Sequence, residues 1–418
     1  MEKIMVRGGK PLFGEVTAGG SKNAALPVLF AGILTRDTCV FANLPRVSDV
    51  LCTLKILRYL GARVFFYSNG DVAVDYRDMR PAAPPLELTG GIRGSVYLLG
   101  ALLGRFGRAA LAGAGGCDFG ARPIDQHLRG FSLLGATQVR EQGTLILTAN
   151  GLSGCTIPLA MPSVGATANL MMAATAAAGE TVIENAAAEP HVAALCDFLT
   201  AAGADVRGIG TGTVRVFGGT PLHGCRYTVI PDMIEAGTYL AAAMATGGAV
   251  TVRDVLPLHL GAVLETLADM GAELKVTATT IRLTAPAAYD CAHLVTGPYP
   301  AFPTDLHPQF AALFSVGGRA RGAGHVRDTV WPERFRYTEE LEKMGACVLR
   351  DAGAATFLPA PLHPATVEAT DLRGGAALLI AALATPGETV ITGASAIGRG
   401  YEKLQKKCRA LGADIRVE

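Results

Sequence analysis

One dipeptide constrains this chain more than any other feature. Gly-Ala closes a leucine-rich helical segment and precedes a short β-like run in YLGARVFF, LLGATQVR, AAGADVRG, DMGAELKV, KMGACVLR and ALGADIRV. The glycines are Gly61, Gly135, Gly203, Gly271, Gly345 and Gly412, at intervals of 67 to 74 residues. Gly271 and Gly345 each fall 210 residues after Gly61 and Gly135, so the copies form two sets of three. Self-similarity at a fixed period marks one supersecondary unit repeated along the chain. This period exceeds that of solenoid repeats, which makes each copy a small α/β unit.

Each copy opens with a segment that is apolar nearly all round: NAALPVLFAGIL, SVYLLGALLGRF, ATANLMMAATAAA, AGTYLAAAMAT, PQFAALFSVGG and GGAALLIAALAT. Such a helix belongs in a core. A strand-like run follows, as in TVIENA, AVTVRDV or TVITGA, and then an amphipathic helix such as CDFLTAAGA or YTEELEKMGA. The glycine of Gly-Ala suits the C′ position of that second helix, where a left-handed residue ends it. The fold class is therefore α/β, with three repeated units around three buried helices in each of two domains. Half of the residues are apolar and 17% are charged, enough apolar material for two such cores.

Aligned on the buried helices, the residue at or just before each start is Lys22, Arg93, Gly165, Glu235, Asp305 and Arg373, at steps of 68 to 72 residues. A helix N-terminus carries unpaired N–H groups and partial positive charge. Glu235 and Asp305 suit that place and read as simple caps. Lys22, Arg93 and Arg373 are unfavourable there unless an anion joins them, and a helix N-terminus with a basic side chain is an anion site. If the repeat points three helix ends one way in each domain, facing domains form a cleft lined by these cations and by carboxylates. Arg122 in the glycine-rich GAGGCDFGARPID, Arg334 in WPERFRYTEE and Arg399 in GRGYEKL extend the basic set, and guanidinium matches carboxylate and phosphate edges in bidentate fashion.

Several classes are excluded. The net charge of +1 gives no global field for nucleic acid or an anionic membrane surface. Runs such as ALLIAALAT fall short of the roughly 20 residues a membrane span needs, and MEKIMVRGGK holds no apolar signal core. Nine scattered cysteines without a C-x-x-C pair point to a reducing cytoplasm, with neither a disulfide framework nor a zinc site. G-x-x-x-x-G-K-[ST] is absent, and no G-x-G-x-x-G stands in a dinucleotide-binding context.

The strings GGSKNAALP, GGCDFGARPID, SVGAT, ENAAAEP, PAFPTD, ATDLR and RGYEKL occur in this order and near these spacings in the enolpyruvyl transferases. The chain resembles the UDP-N-acetylglucosamine 1-carboxyvinyltransferases (MurA type) over essentially its whole length. The resemblance implies two inverted α/β domains of three units each and a cleft that closes on substrate. It places residues 21–229 in the first domain and residues 1–20 with 230–418 in the second. It implies transfer of the enolpyruvyl group of phosphoenolpyruvate to the 3-hydroxyl of UDP-N-acetylglucosamine, with release of phosphate, at the start of peptidoglycan precursor synthesis. No metal or organic cofactor is implied.

The residue roles follow from the same resemblance. Lys22, Arg122 and Arg399 match contacts to the phosphate of phosphoenolpyruvate, Arg334 and Arg373 match contacts to its carboxylate, and Arg93 matches a further basic residue. Asp305 matches the base near the sugar hydroxyl, and Cys117 the loop thiol that acts as an acid. Asn23, Arg122, Pro123, Asp125, Ser163, Val164, Gly165 and Asp305 match sugar-nucleotide contacts, with a valine contact assigned to position 327. Glu189 and Asp371 match site carboxylates. The types suit the chemistry: one group protonates the double bond, another takes the hydroxyl proton, and cations hold a tetrahedral intermediate bearing phosphate and carboxylate. Met161 and Pro162, Ala188, His191, Met233, Tyr299 and Gly398 depart from the pattern of the resemblance. They gather on the nucleotide side, and raise the alternatives of a paralogue with another sugar-nucleotide acceptor or a weakly active or non-catalytic regulatory homologue.

Overall fold

The structure is a computed structural model that describes residues 2–113 and 123–418. It divides into two compact units, one of the described residues from Gly20 to Ile230, the other of Pro231–Glu418 with the N-terminal residues up to Gly19.

The Gly-Ala signature resolves into one repeated device. All six glycines have φ between 89° and 105°. After the helix Ser48–Tyr59, Gly61 N donates to Arg58 O at 3.0 Å, and Ala62 N donates to Leu57 O at 2.9 Å. The same paired bonds recur at Gly135, Gly203, Gly271, Gly345 and Gly412. This is the Schellman closure, in which only glycine takes the left-handed position without strain.

In the Gly20–Ile230 unit the buried helices are Lys22–Ala31, Leu98–Phe106 and Val164–Ala174. In the other unit they are Met233–Thr246, His307–Ser315 and Leu372–Ala384. Around the helix trios, every copy but the first lends its last strand to the sheet of another copy. Thr156–Pro158 runs parallel to Glu180–Glu184, and Arg226–Thr228 parallel to Thr38–Ala42. In the other unit His293–Thr296 pairs with Gly324–Asp328, and Thr366–Glu368 with Gly387–Thr392. Among the described residues, the sheet of Arg108–Leu111 has three strands where its counterparts have four. The segment that would supply the fourth contains Pro81, Pro84 and Pro85, and proline cannot donate to a ladder.

The N-terminal residues complete the repeat of the C-terminal half. Ile4–Gly8 inserts between Gly387–Thr392 and Asp414–Val417, antiparallel to both, so the sixth hairpin is assembled from the two ends of the chain. Phe13–Thr17 then lies parallel to Ala249–Arg253. No helix among the described residues is long and apolar enough to cross a membrane.

Candidate functional site

The helix starts of the Gly20–Ile230 unit form one cluster. Ser21 caps the first buried helix, its Oγ accepting from Ala24 N. Lys22, the next residue, pairs through Nζ with Asp49 Oδ2 at 3.2 Å, with both side chains largely buried. The anion that this cation required is thus supplied in part from within. Asn23 follows in the same turn. Arg93 opens a 3-10 turn, Arg93–Tyr97, ahead of the helix Leu98–Phe106 rather than the helix itself. Gly94 presses against Leu26, where a Cβ would come within 2.8 Å, so the Arg93 turn rests on the Lys22 helix. Burial pulls the Arg93 pKa below its ordinary range.

Gly165 breaks the run of charged helix starts for a steric reason. A Cβ there would lie 3.1 Å from Cε1 and Nε2 of His127, so the imidazole fills the space of the missing side chain. His127 is buried, and its pKa is pushed down to about 4 by that burial and by the nearby charge of Arg93. Asn169 fixes the ring, with Nδ2 2.9 Å from His127 Nδ1. The same amide donates to Val96 O at 3.0 Å and accepts from Gly100 N at 2.8 Å. A neutral ring that accepts at Nδ1 carries its proton on Nε2, beside Gly165. Sequence reading missed both residues; a lone histidine in an amphipathic helix and a lone asparagine in an apolar one give no periodic signal.

Ser163 caps the third helix, its Oγ accepting from Ala166 N at 3.3 Å, and Val164 opens it. Pro123 and Asp125 are exposed, and Asp125 begins the helix Asp125–Leu133. Beside it lies a cleft of about 170 Å³ lined by Asp125, Gln126, Arg129, Ile157, Pro158 and Ala160, among others. Gln126 Oε1 accepts from Ala160 N at 2.8 Å and holds the cleft's far wall. Glu189 stands at the N-cap position of Pro190–Ala201 but makes no side-chain capping bond. Cys117 and Arg122 lie outside the described residues.

Two of the three helix starts of the other unit meet by direct contact. Asp305 Oδ1 accepts from Arg334 Nη1 at 2.8 Å, and Oδ2 accepts from Arg373 Nη2 at 2.9 Å and Nε at 3.1 Å. The two guanidiniums are nearly sequestered, with side chains 6% and 2% exposed, while Asp305 is 26% exposed. Arg373 Nη1 is buried without an acceptor among the described residues. Burial opposes the Arg373 charge, but Asp305 and Tyr401 outweigh it and hold its pKa above the ordinary range. Tyr401 lies under the Arg373 guanidinium, 5.6 Å from ring centroid to Cζ. Its hydroxyl meets Thr238 Oγ1 at 2.8 Å and Gln309 Nε2 at 3.2 Å, so one phenol ties all three buried helices together. Arg399 ends the turn Ala394–Arg399, two residues before Tyr401.

Three expectations need correction. Asp305 and Glu235 are not caps. Asp232 caps Met233–Thr246, accepting from Ile234 N and Glu235 N, and Asp371 caps Leu372–Ala384, accepting from Arg373 N and Gly374 N. Glu235 instead accepts from Lys407 Nζ at 2.6 Å, Gly19 N at 2.6 Å and Tyr239 Oη at 3.0 Å; burial raises its pKa against the pull of Lys407. Position 327 is Arg327, not a valine; it is exposed on the strand Gly324–Asp328, whose alternate residues turn inward, and the nearby valines are Val326 and Val330.

What the Arg334–Arg373 pair can do chemically is plain: it is a two-guanidinium clamp for a carboxylate, shown holding one from its own chain. Comparison with known proteins then decides the family. The profile described as EPSP synthase (3-phosphoshikimate 1-carboxyvinyltransferase) matches residues 6–408. The chain belongs to the EPSP synthase family. Among members of that family, it is 42% identical over 417 residues to a UDP-N-acetylglucosamine 1-carboxyvinyltransferase of Clostridium botulinum, covering 99% of each chain. It is 42% identical over 415 residues to UDP-N-acetylglucosamine 1-carboxyvinyltransferase 2 of Listeria monocytogenes, covering 99% of this chain and 97% of the other. The solved enolpyruvyl transferase NikO from Streptomyces tendae superposes with a TM-score of 0.90 at 27% identity, covering 100% of this chain and 99% of the other. EPSP synthase from Acinetobacter baumannii shares the EPSP synthase family fold, with a TM-score of 0.76 at 21% identity and full coverage of both chains.

Proposed function

We propose that the chain transfers the enolpyruvyl group of phosphoenolpyruvate to the 3-hydroxyl of UDP-N-acetylglucosamine and releases inorganic phosphate. Full-length likeness to carboxyvinyltransferases supports the reaction class, and the observation that carries the reading to residues is the Arg334–Asp305–Arg373 cluster. Two buried guanidiniums grip a carboxylate that is itself part-exposed. The carboxylate of phosphoenolpyruvate has the same planar, bidentate edge. On entry it takes the place of the Asp305 oxygens, and Arg373 Nη1 gains an acceptor.

Asp305, released from the clamp, is then a carboxylate with an unoccupied lone pair near the reacting carbon. It accepts the proton of the sugar hydroxyl as that oxygen bonds to C2 of the enol. Cys117 delivers a proton to C3, which becomes a methyl group. The resulting tetrahedral intermediate carries phosphate, carboxylate and the new ether. Loss of phosphate from C2 and of a proton from C3 restores the double bond in the product. Lys22 and Arg399 are assigned to the phosphate, the neutral His127 Nε2–H and the Ser163–Gly165 helix start to the sugar nucleotide, and the Asp125–Ala160 cleft to its base.

The test is phosphate release from phosphoenolpyruvate with UDP-N-acetylglucosamine, set against UDP-glucose, UDP-N-acetylgalactosamine and shikimate 3-phosphate. Release with the first acceptor alone supports the reading. Comparable release with another acceptor moves the specificity, and no release with any acceptor overturns the reaction.

A further inference from the structure

Behind the clamp lies a buried couple that the reaction above does not use. His307 begins the helix His307–Ser315, and neither its side chain nor that of Asp328 reaches solvent. His307 Nε2 lies 3.1 Å from Asp328 Oδ2, with its N–H not aligned for a straight hydrogen bond. Tyr337 Oη, 3.2 Å from Nδ1, occupies the other ring nitrogen.

Asp328 is the hub. Its Oδ1 accepts from Thr296 Oγ1 at 2.6 Å, Val330 N at 2.9 Å and Trp331 N at 3.1 Å. These bonds pin the loop that leads to Arg334. Its Oδ2 accepts from Thr304 Oγ1 at 2.7 Å, and Thr304 is the neighbour of Asp305. The circuit closes because Thr304 Oγ1 also accepts from Arg334 Nη1 at 3.2 Å. One buried carboxylate therefore joins the turn that carries Asp305 to the loop that carries Arg334.

We propose that Asp328, backed by His307, is a positioning residue that sets Arg334 and Asp305 in register for the substrate's carboxylate. This rests on the transfer reaction proposed above. Burial alone would raise the Asp328 pKa, yet the close contact with His307 and the Thr296 and Thr304 hydrogen bonds bring it down to about 2, while burial keeps His307 below its ordinary value despite Asp328. Replacing the ring with an aliphatic side chain removes the polar group 3.1 Å from Asp328 Oδ2, and the hub carboxylate relaxes by drawing on its other partners, the Thr304 hydroxyl and the loop amides. Arg334 then loses its fixed place.

The experiment uses the intact chain with His307→Leu, His307→Gln and Asp328→Asn. Steady-state kinetics are measured for both substrates. In parallel, the rate of Arg334 modification by an arginine-specific dicarbonyl reagent is read by peptide mass spectrometry on the native protein. His307→Leu and Asp328→Asn are expected to raise KM for phosphoenolpyruvate about tenfold or more, to leave KM for the sugar nucleotide within twofold, and to speed Arg334 labelling severalfold. His307→Gln, which keeps a donor near the Nε2 position, is expected to restore near wild-type values. Unchanged KM and unchanged labelling in a folded His307→Leu protein overturn the proposal, as does an equal rise in both KM values. Wild-type protein without turnover counts against the reaction only; the labelling comparison still decides the positioning role.

Discussion

If Asp305 occupies the place that the substrate's carboxylate must take, removing it should strengthen substrate binding while ending turnover. Asp305 accepts three N–H bonds from Arg334 and Arg373, at 2.8, 2.9 and 3.1 Å. Hydrogen bonds to charged groups contribute roughly 1.5–3 kcal/mol net, and Asp305 is 26% exposed, so solvent screening discounts the sum. Taking the internal pairing as about 1.5–3 kcal/mol in total, its loss tightens phosphoenolpyruvate binding roughly 10- to 100-fold, at 1.4 kcal/mol per tenfold. Asp305→Asn keeps the shape and removes the charge; Asp305→Ala removes both and leaves the buried Arg373 unpaired, a destabilisation of about 3–5 kcal/mol. The single tryptophan of the chain, Trp331, stands three residues before Arg334, so its emission reports on this loop during titration with phosphoenolpyruvate. Both variants should bind more tightly than wild type, gain more thermal stability from the ligand, and release no phosphate at a measurable rate. Equal or weaker binding in Asp305→Asn would refute the exchange.

Two further outcomes follow from the same chemistry. His127 has its pKa lowered from 6.5 to about 4, so the unfolded chain takes up a proton between those values while the folded chain does not. Stability is therefore full above pH 6.5 and falls as pH drops towards 4, by up to about 3 kcal/mol; His127→Gln should flatten that part of a urea-denaturation profile against pH. Cys117→Ala should cost about 100- to 10,000-fold in turnover, whereas Cys117→Asp should keep turnover and resist thiol labelling; full turnover of Cys117→Ala at saturating substrate would remove the thiol from the acid role.

Much of the fold was legible because its repeat is written in backbone chemistry. A Schellman closure needs glycine at one position and tolerates a small apolar residue at the next, so six Gly-Ala pairs gave the copies, their order and their outer helices. The buried helices were legible from apolar residues on every side. The charged helix starts were legible as positions, but not as partners. Nothing in the spacing says that Asp305 reaches Arg334 and Arg373 while Glu235, at the equivalent place, turns to Lys407 and Gly19. The true caps, Asp232 and Asp371, each stand directly before their helix, and that signal was available. Gly165 read as an exception until the His127 ring was found in its place. The insertion of Ile4–Gly8 beside Asp414–Val417 joins the two ends of the chain, and local patterning carries no trace of such a pairing.

The most direct test of the account is a crystal structure of the protein with phosphoenolpyruvate and UDP-N-acetylglucosamine bound, using Cys117→Ala to slow turnover. The account predicts the carboxylate of phosphoenolpyruvate on Arg334 and Arg373, with Asp305 turned off both guanidiniums and towards the 3-hydroxyl of the sugar. Asp305 still paired with both arginines, or the phosphate rather than the carboxylate seated between them, would contradict it.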